Sequence, residues 1–183
     1  RDQKQHVEVT RDIAIKFNNE FGEVFTIPEP FIPEEVAVVP GLDGQKMSKS
    51  YGNTIELFGD MKETKARIMK IVTDSKGLED PKDPATCNVF ALYKLFANDA
   101  QRQEMEANYR GGNYGYGHAK KALAAAFEEV FEPFRTRRAE LQANPDYVEE
   151  VLRKGAERAR AEATKTLDRA RNAVGLSSLA GRI

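Results

Sequence analysis

Beyond Asp60 the apolar residues of this chain recur at three- and four-residue steps, and no stretch alternates in the manner of a strand. The greater part of the sequence is therefore confined to packed helices. Asp60 can cap a helix reaching about Val72, with Ile68, Met69, Ile71 and Val72 on its apolar side. Val89, Phe90, Leu92, Tyr93 and Phe96 place a second helix over Thr86 to Ala97, and a third starts near Asp99 and ends at Gly111-Gly112. A long helix over His118 to Leu141 carries Leu123, Phe127, Val130, Phe131 and Phe134, and Pro133 is expected to kink it or end its first section. Asn144-Pro145 supplies a cap followed by Pro at the first helical position, opening a last helix that runs to Gly175.

The first 58 residues read differently. Val9, Ile13, Phe17 and Phe21 share one face of a helix from about Gln5 to Phe21, closed by Gly22. Glu23 to Ile27 reads as a short strand, and Pro28, Pro30 and Pro33 keep the following chain extended. Val36-Ala37-Val38-Val39, ended by Pro40, suits a strand buried on both faces of a parallel sheet. The fold class expected is α/β plus all-α, with the change at about Phe58. Two charged residues lead straight into an amphipathic helix at the start, which points to a chain cut from something longer.

Charged residues make up 31% and apolar residues 40% of the 183, a globular composition, and no apolar run approaches the ~20 residues of a membrane span. A lone cysteine, Cys87, fits a reducing cytosol; a catalytic thiol is the sharper alternative, but neither His6 nor His118 lies near it in sequence. The net charge of −1 gives no global reason to expect nucleic acid. Locally, residues 151–183 hold eight Lys or Arg against three acids, an excess that can attract a phosphate backbone. A solvated helix face, with Glu157/Arg160 and Glu162/Lys165 paired at helical spacing, accounts for the same charges.

The chemistry sits at Lys46-Met47-Ser48-Lys49-Ser50. Two ammonium groups three residues apart, with hydroxyls between and beside them, follow a buried strand where ligands of open α/β sheets collect. Gly41, Gly44 and Gly52 flank the segment, so it can close as a cradle over a polyphosphate. A polar surface loop with Met47 in an apolar niche would have the same composition.

The five residues match the KMSKS motif of class I aminoacyl-tRNA synthetases letter for letter. The opening Arg1-Asp2-Gln3-Lys4-Gln5-His6, with Thr10-Arg11-Asp12-Ile13-Ala14 and Phe17-Asn18, resembles the segment after the G-x-D-Q turn of the bacterial tryptophanyl members. Thr73-Asp74-Ser75, Tyr114-Gly115 with Lys120, and Gly155-Ala156-Glu157 with Ala159 and Ala163 resemble that family's helical region; the Gly-Leu-Asp-Gly lead into the motif departs from it.

The resemblance implies that residues 1–58 are the C-terminal part of a Rossmann-type catalytic domain and 59–183 a helical bundle that docks the tRNA anticodon. It further implies that the last stretch, about 165–183, packs back on the Rossmann part. Asp2 would accept a ribose hydroxyl of ATP, Gln3 would hold the tryptophan ammonium or the ribose, and Lys4 would lie beside the nucleotide. Val38, with Val39 as the alternative, would approach the adenine through its backbone. Lys46, Ser48 and Lys49 would act on the phosphates as catalytic groups, Ser50 would join them in binding, and Met47 would anchor the loop.

The implied protein is a cytoplasmic homodimer using ATP, with Mg2+ carried on the nucleotide, L-tryptophan and tRNA(Trp); it holds no metal of its own and touches no membrane. The family's His-x-Gly-His string does not occur in this sequence, so the chain by itself is expected to be inactive. The helical bundle would retain RNA contacts, through stacking on Tyr114 and Tyr116 and through the basic last helix. A tyrosyl-tRNA synthetase and a non-catalytic helical RNA-binding or interaction module are the competing readings.

Overall fold

The computed structural model describes residues 3–33 and 38–176, which fall into two compact units, one drawn from 1–33 and 141–183 and the other from 34–140. In the first unit, helix α1 (Lys4–Phe21) closes where the Gly22 amide donates to the Asn18 carbonyl, 2.9 Å. The Asn18 side chain then folds the chain back: its Oδ1 accepts from the amides of Val24 (3.1 Å) and Phe25 (2.9 Å), and its Nδ2 donates to the Phe25 carbonyl. Those are the groups a sheet ladder would need, which is why the strand expected over Glu23 to Ile27 does not form.

The unit's second helix, which becomes α6 in chain order, spans Pro145–Ala173 with Asn144 accepting from the Tyr147 amide. None of its residues is buried. Arg169 donates to the Val24 carbonyl at 3.0 Å. The stretch from about 165, expected to pack back on the Rossmann part, forms the last turns of α6, and residues 177–183 lie outside the described part.

The second unit holds α2 (Met61–Met69), α3 (Asn88–Tyr93), α4 (Asp99–Gly111) and nearly all of α5 (Tyr116–Gln142). Caps fix the helix starts: Asp60 accepts from the Glu63 amide, and Asn98 and Gln101 form a reciprocal capping box. Ile68, Ile71, Val89, Leu92, Tyr109, Leu123 and Phe127 are all but fully enclosed. The Tyr109 ring lies within 5.7–6.1 Å of those of Phe90, Tyr114 and Tyr116, and its hydroxyl is 3.4 Å from the Cys87 sulfur. Burial pushes the Tyr109 hydroxyl's pKa far up. Cys87 is enclosed there, packed within the core. Pro133 neither ends α5 nor divides it.

Val39, Leu42, Met47 and Ile55 pack on the helical core within the second unit. One expectation needs correcting. Among the described residues there is no strand, and the sheet remnant reduces to one antiparallel bridge, Pro40 to Lys46. Val36 and Ala37 of the expected strand lie outside the described residues.

Between α2 and α3 the chain is organised by Lys82, only 3% exposed. Its ammonium donates to the carbonyls of Gly77 (2.7 Å), Asp80 (2.9 Å) and Leu78 (3.4 Å), and it stands 5.3 Å from the Tyr116 ring. Tyr116 in turn donates to Asp74 at 2.7 Å. Lys82→Met would leave those carbonyls without a donor. Urea denaturation should show a loss of about 2 kcal/mol or more, against near-neutrality for the exposed Lys62→Met.

Candidate functional site

The segment from Val39 to Asn53 is a closed loop built on main-chain bonds. Met47 N donates to Val39 O (2.9 Å) and Gly41 N to Gln45 O (2.6 Å), so the two limbs pair around a turn at Gly41–Gly44. Met47 points into the hydrophobic core with Val39 and Leu42. The second limb ends in a single helical turn, Lys49–Tyr51, closed by Gly52 at φ 65°, a left-handed conformation that side chains with a Cβ rarely adopt.

At the centre lies Asn53, 4% exposed. Its Oδ1 accepts from Ser48 N (2.8 Å), and its Nδ2 donates to Asp43 Oδ1 (2.8 Å) and to the Lys46 carbonyl (3.1 Å). Its own carbonyl accepts from Leu42 N at 3.0 Å. One amide therefore fixes the backbone at Lys46 and at Ser48, on either side of Met47. Gly41 has no alternative here, since a Cβ would collide with the Asn53 amide group.

Arg67, from α2, holds the outer end of the loop: Nε donates to Thr54 O (3.1 Å) and Nη2 to Gly52 O (2.8 Å). The Asn53 amide beside Asp43 holds that carboxyl below its usual range, helped by the Gln45 amide. Ser48 and Ser50 bring their hydroxyls within 2.8 Å of each other. Lys46 and Lys49 are exposed. The loop thus presents two cations and two hydroxyls on a rigid backbone, which is a means of binding an anion with several oxygens.

The structure brings Lys46, Met47, Ser48, Lys49 and Ser50 together on this one loop. Gln3 stands exposed at the start of α1 and Lys4 pairs with Glu8 at 3.1 Å, both in the first unit. Asp2 lies outside the described residues. Val38 is 52% exposed, just before the loop. Asn53 and Arg67, which hold the backbone of this loop, are not among the residues that the sequence singles out for the site. Each works through main-chain carbonyls and amides, for which residue type leaves no signature.

The two surfaces expected to meet RNA look different in three dimensions. Tyr114 and Tyr116 are half-buried against the core and are spent on internal contacts. On α6, Glu157 pairs with Arg153 (2.6 Å) rather than with Arg160, while the Glu162–Lys165 pair forms at 2.8 Å. Lys154 and Arg171 also have carboxylate partners. Four of the seven basic residues on this helix, Arg153, Lys154, Lys165 and Arg171, thus pair with a carboxylate along it.

A family described as class I tRNA synthetases (W and Y) matches residues 1–132. A tryptophan–tRNA ligase of Rhodopirellula baltica is 51% identical over 175 residues, 96% of this chain and 55% of that protein. One of Fusobacterium nucleatum is 49% identical over 177 residues, 96% of this chain and 54% of its own length. The chain therefore spans about half the length of these relatives. The crystal structure of a tryptophanyl-tRNA synthetase from Campylobacter jejuni, complexed with ADP and tryptophan, superposes with a TM-score of 0.79 at 46% identity, over 96% of this chain and 55% of that one.

Two outcomes follow from the Asn53 hub. Asn53→Asp removes the donor to Lys46 O and sets a carboxylate against Asp43, so the Ser48 amide should exchange with solvent at least tenfold faster while the Leu92 amide is unchanged. The second concerns pH. Because the folded-state pKa of Asp43 is depressed, its contribution is complete above the ordinary carboxylate range and is lost as pH falls through the lowered value. Loop protection measured from pH 6 downward should decline over that acid window, and Asp43→Asn should flatten the dependence.

Proposed function

The chain belongs to the class I tRNA synthetases of the tryptophan and tyrosine type, and from that premise we propose that its Lys46–Ser50 loop binds the polyphosphate of ATP within a tryptophan–tRNA ligase. The observation that carries the reading is the buried Asn53 amide, which shapes the segment so that Lys46 and Lys49 stand exposed on either side of Ser48. The relatives named above are tryptophan ligases, which favours tryptophan over tyrosine as the amino acid.

In the parent reaction the tryptophan carboxylate attacks the α-phosphorus of ATP, giving tryptophanyl-adenylate and pyrophosphate, and the aminoacyl group then passes to tRNA(Trp). No covalent intermediate with this chain is needed. The work of the loop is electrostatic: Lys46 and Lys49 neutralise the charge that grows on the departing pyrophosphate, and the Ser48 and Ser50 hydroxyls donate to its oxygens. Mg2+ arrives with the nucleotide as part of the substrate. Asp2, Gln3, Lys4 and Val38 are the further groups assigned to ATP, with Gln3 also reaching the tryptophan ammonium. Residues 1–58 belong to the Rossmann-type part of the cytoplasmic homodimer, and the helices of 59–183 dock the tRNA anticodon.

Calorimetric titration with ATP tests the loop. Lys46→Ala and Lys49→Ala should each weaken binding about tenfold, equivalent to about 1.4 kcal/mol, and unchanged affinity in both would overturn the assignment. The sequence has no His-x-Gly-His string to oppose the loop. Tryptophan-dependent pyrophosphate exchange by this chain alone should accordingly stay at background. Supplying the portion of a relative that the chain does not span should restore it.

A further inference from the structure

Behind the exposed lysines, Arg67 is placed to govern the loop without touching anything bound to it. We propose that Arg67 is a positioning residue which sets the polyphosphate affinity of Lys46–Ser50; this rests on the reading of that loop as a phosphate cradle. The Lys49–Tyr51 turn is closed by Gly52, whose amide donates to Lys49 O at 3.1 Å. The carbonyl of the same Gly52 is held by Arg67 Nη2, and the carbonyl of Thr54 by Nε. A planar guanidinium spans two carbonyls two residues apart; a lysine ammonium on a flexible stem cannot fix both in the same geometry. The turn bearing Lys49 is thus gripped at its start by Asn53, through the Ser48 amide, and at its end by Arg67.

The grip is useful because its base is fixed. Arg67 sits on the last turn of α2 beside Ile68, which is wholly buried. α2 is in turn tied to α5 by the Lys65–Glu128 ion pair at 2.7 Å and by Lys120, which donates to the Met69 carbonyl at 3.1 Å. Burial lowers the pKa of Lys120. Both acceptors of Arg67 are neutral carbonyls, so its charge is not cancelled by them. It adds to the potential at the base of the loop, where a polyanion would be received. A bulky side chain merely filling space would need neither the fork nor the charge.

The test is calorimetric titration of the whole chain with inorganic triphosphate, paired with amide exchange, for Arg67→Met, Arg67→Gln and Arg67→Lys. We expect Arg67→Met to weaken triphosphate at least tenfold. Arg67→Lys, which keeps the charge and one carbonyl contact, should recover part of that loss and more of it than Arg67→Gln. Exchange at Tyr51 and Gly52 should quicken in Arg67→Met while Leu92 and Tyr109 keep native protection. Triphosphate affinity within twofold of the native chain in Arg67→Met would overturn the proposal, and so would core exchange quickened as much as the loop. A native chain that binds no triphosphate would sink the cradle reading and with it the affinity claim. Exchange at Tyr51 and Gly52 then decides separately whether Arg67 holds the loop.

Discussion

The amide of Asn53 is the constraint on which the candidate site depends. A side-chain amide can accept through its oxygen and donate twice through its nitrogen, and here each capacity is used within a span of a dozen residues. Enclosed at 4% exposure, the group would be costly to bury with any of these bonds missing. That cost makes the loop two-state: either the network is complete and the backbone at Lys46 and Ser48 is placed, or the amide must return to water and the loop opens. A loop of this kind can hold cations apart on its surface, because their mutual repulsion is opposed by a structure that does not yield gradually.

The same physics recurs between α2 and α3, where Lys82 gathers three carbonyls from one turn of chain. In both places a single polar side chain replaces the ladder of bonds that a strand or helix would supply. Irregular backbone is thereby kept against a helical core that includes Tyr109, Leu123 and Ile68. The core provides the burial. The hubs decide which loop conformation the burial favours.

Legibility in the sequence followed the range of the interactions. Helix starts at Asp60, Asn98 and Asn144 were readable, Asn98 only approximately, because a cap acts within three residues. The KMSKS string was readable as a string. The strand over Glu23 to Ile27 was misread because its bonding groups are taken by Asn18, seven residues from Phe25, an interaction that periodicity does not register. Arg67 acts across thirteen and fifteen residues on main-chain carbonyls, and nothing in the identity of Thr54 or Gly52 announces it. On α6, Glu157 had partners at both three and four residues' distance, and spacing alone could not choose Arg153 over Arg160.

Gly41 carries a consequence for how this sequence can drift. A Cβ there would occupy the space of the Asn53 amide, while a smaller residue at position 53 would vacate that space but abandon Asp43, Lys46 and Ser48. A Cβ at position 41 is thus accommodated only once the amide at 53 is gone, so the two substitutions are epistatic, and the network is lost in either order.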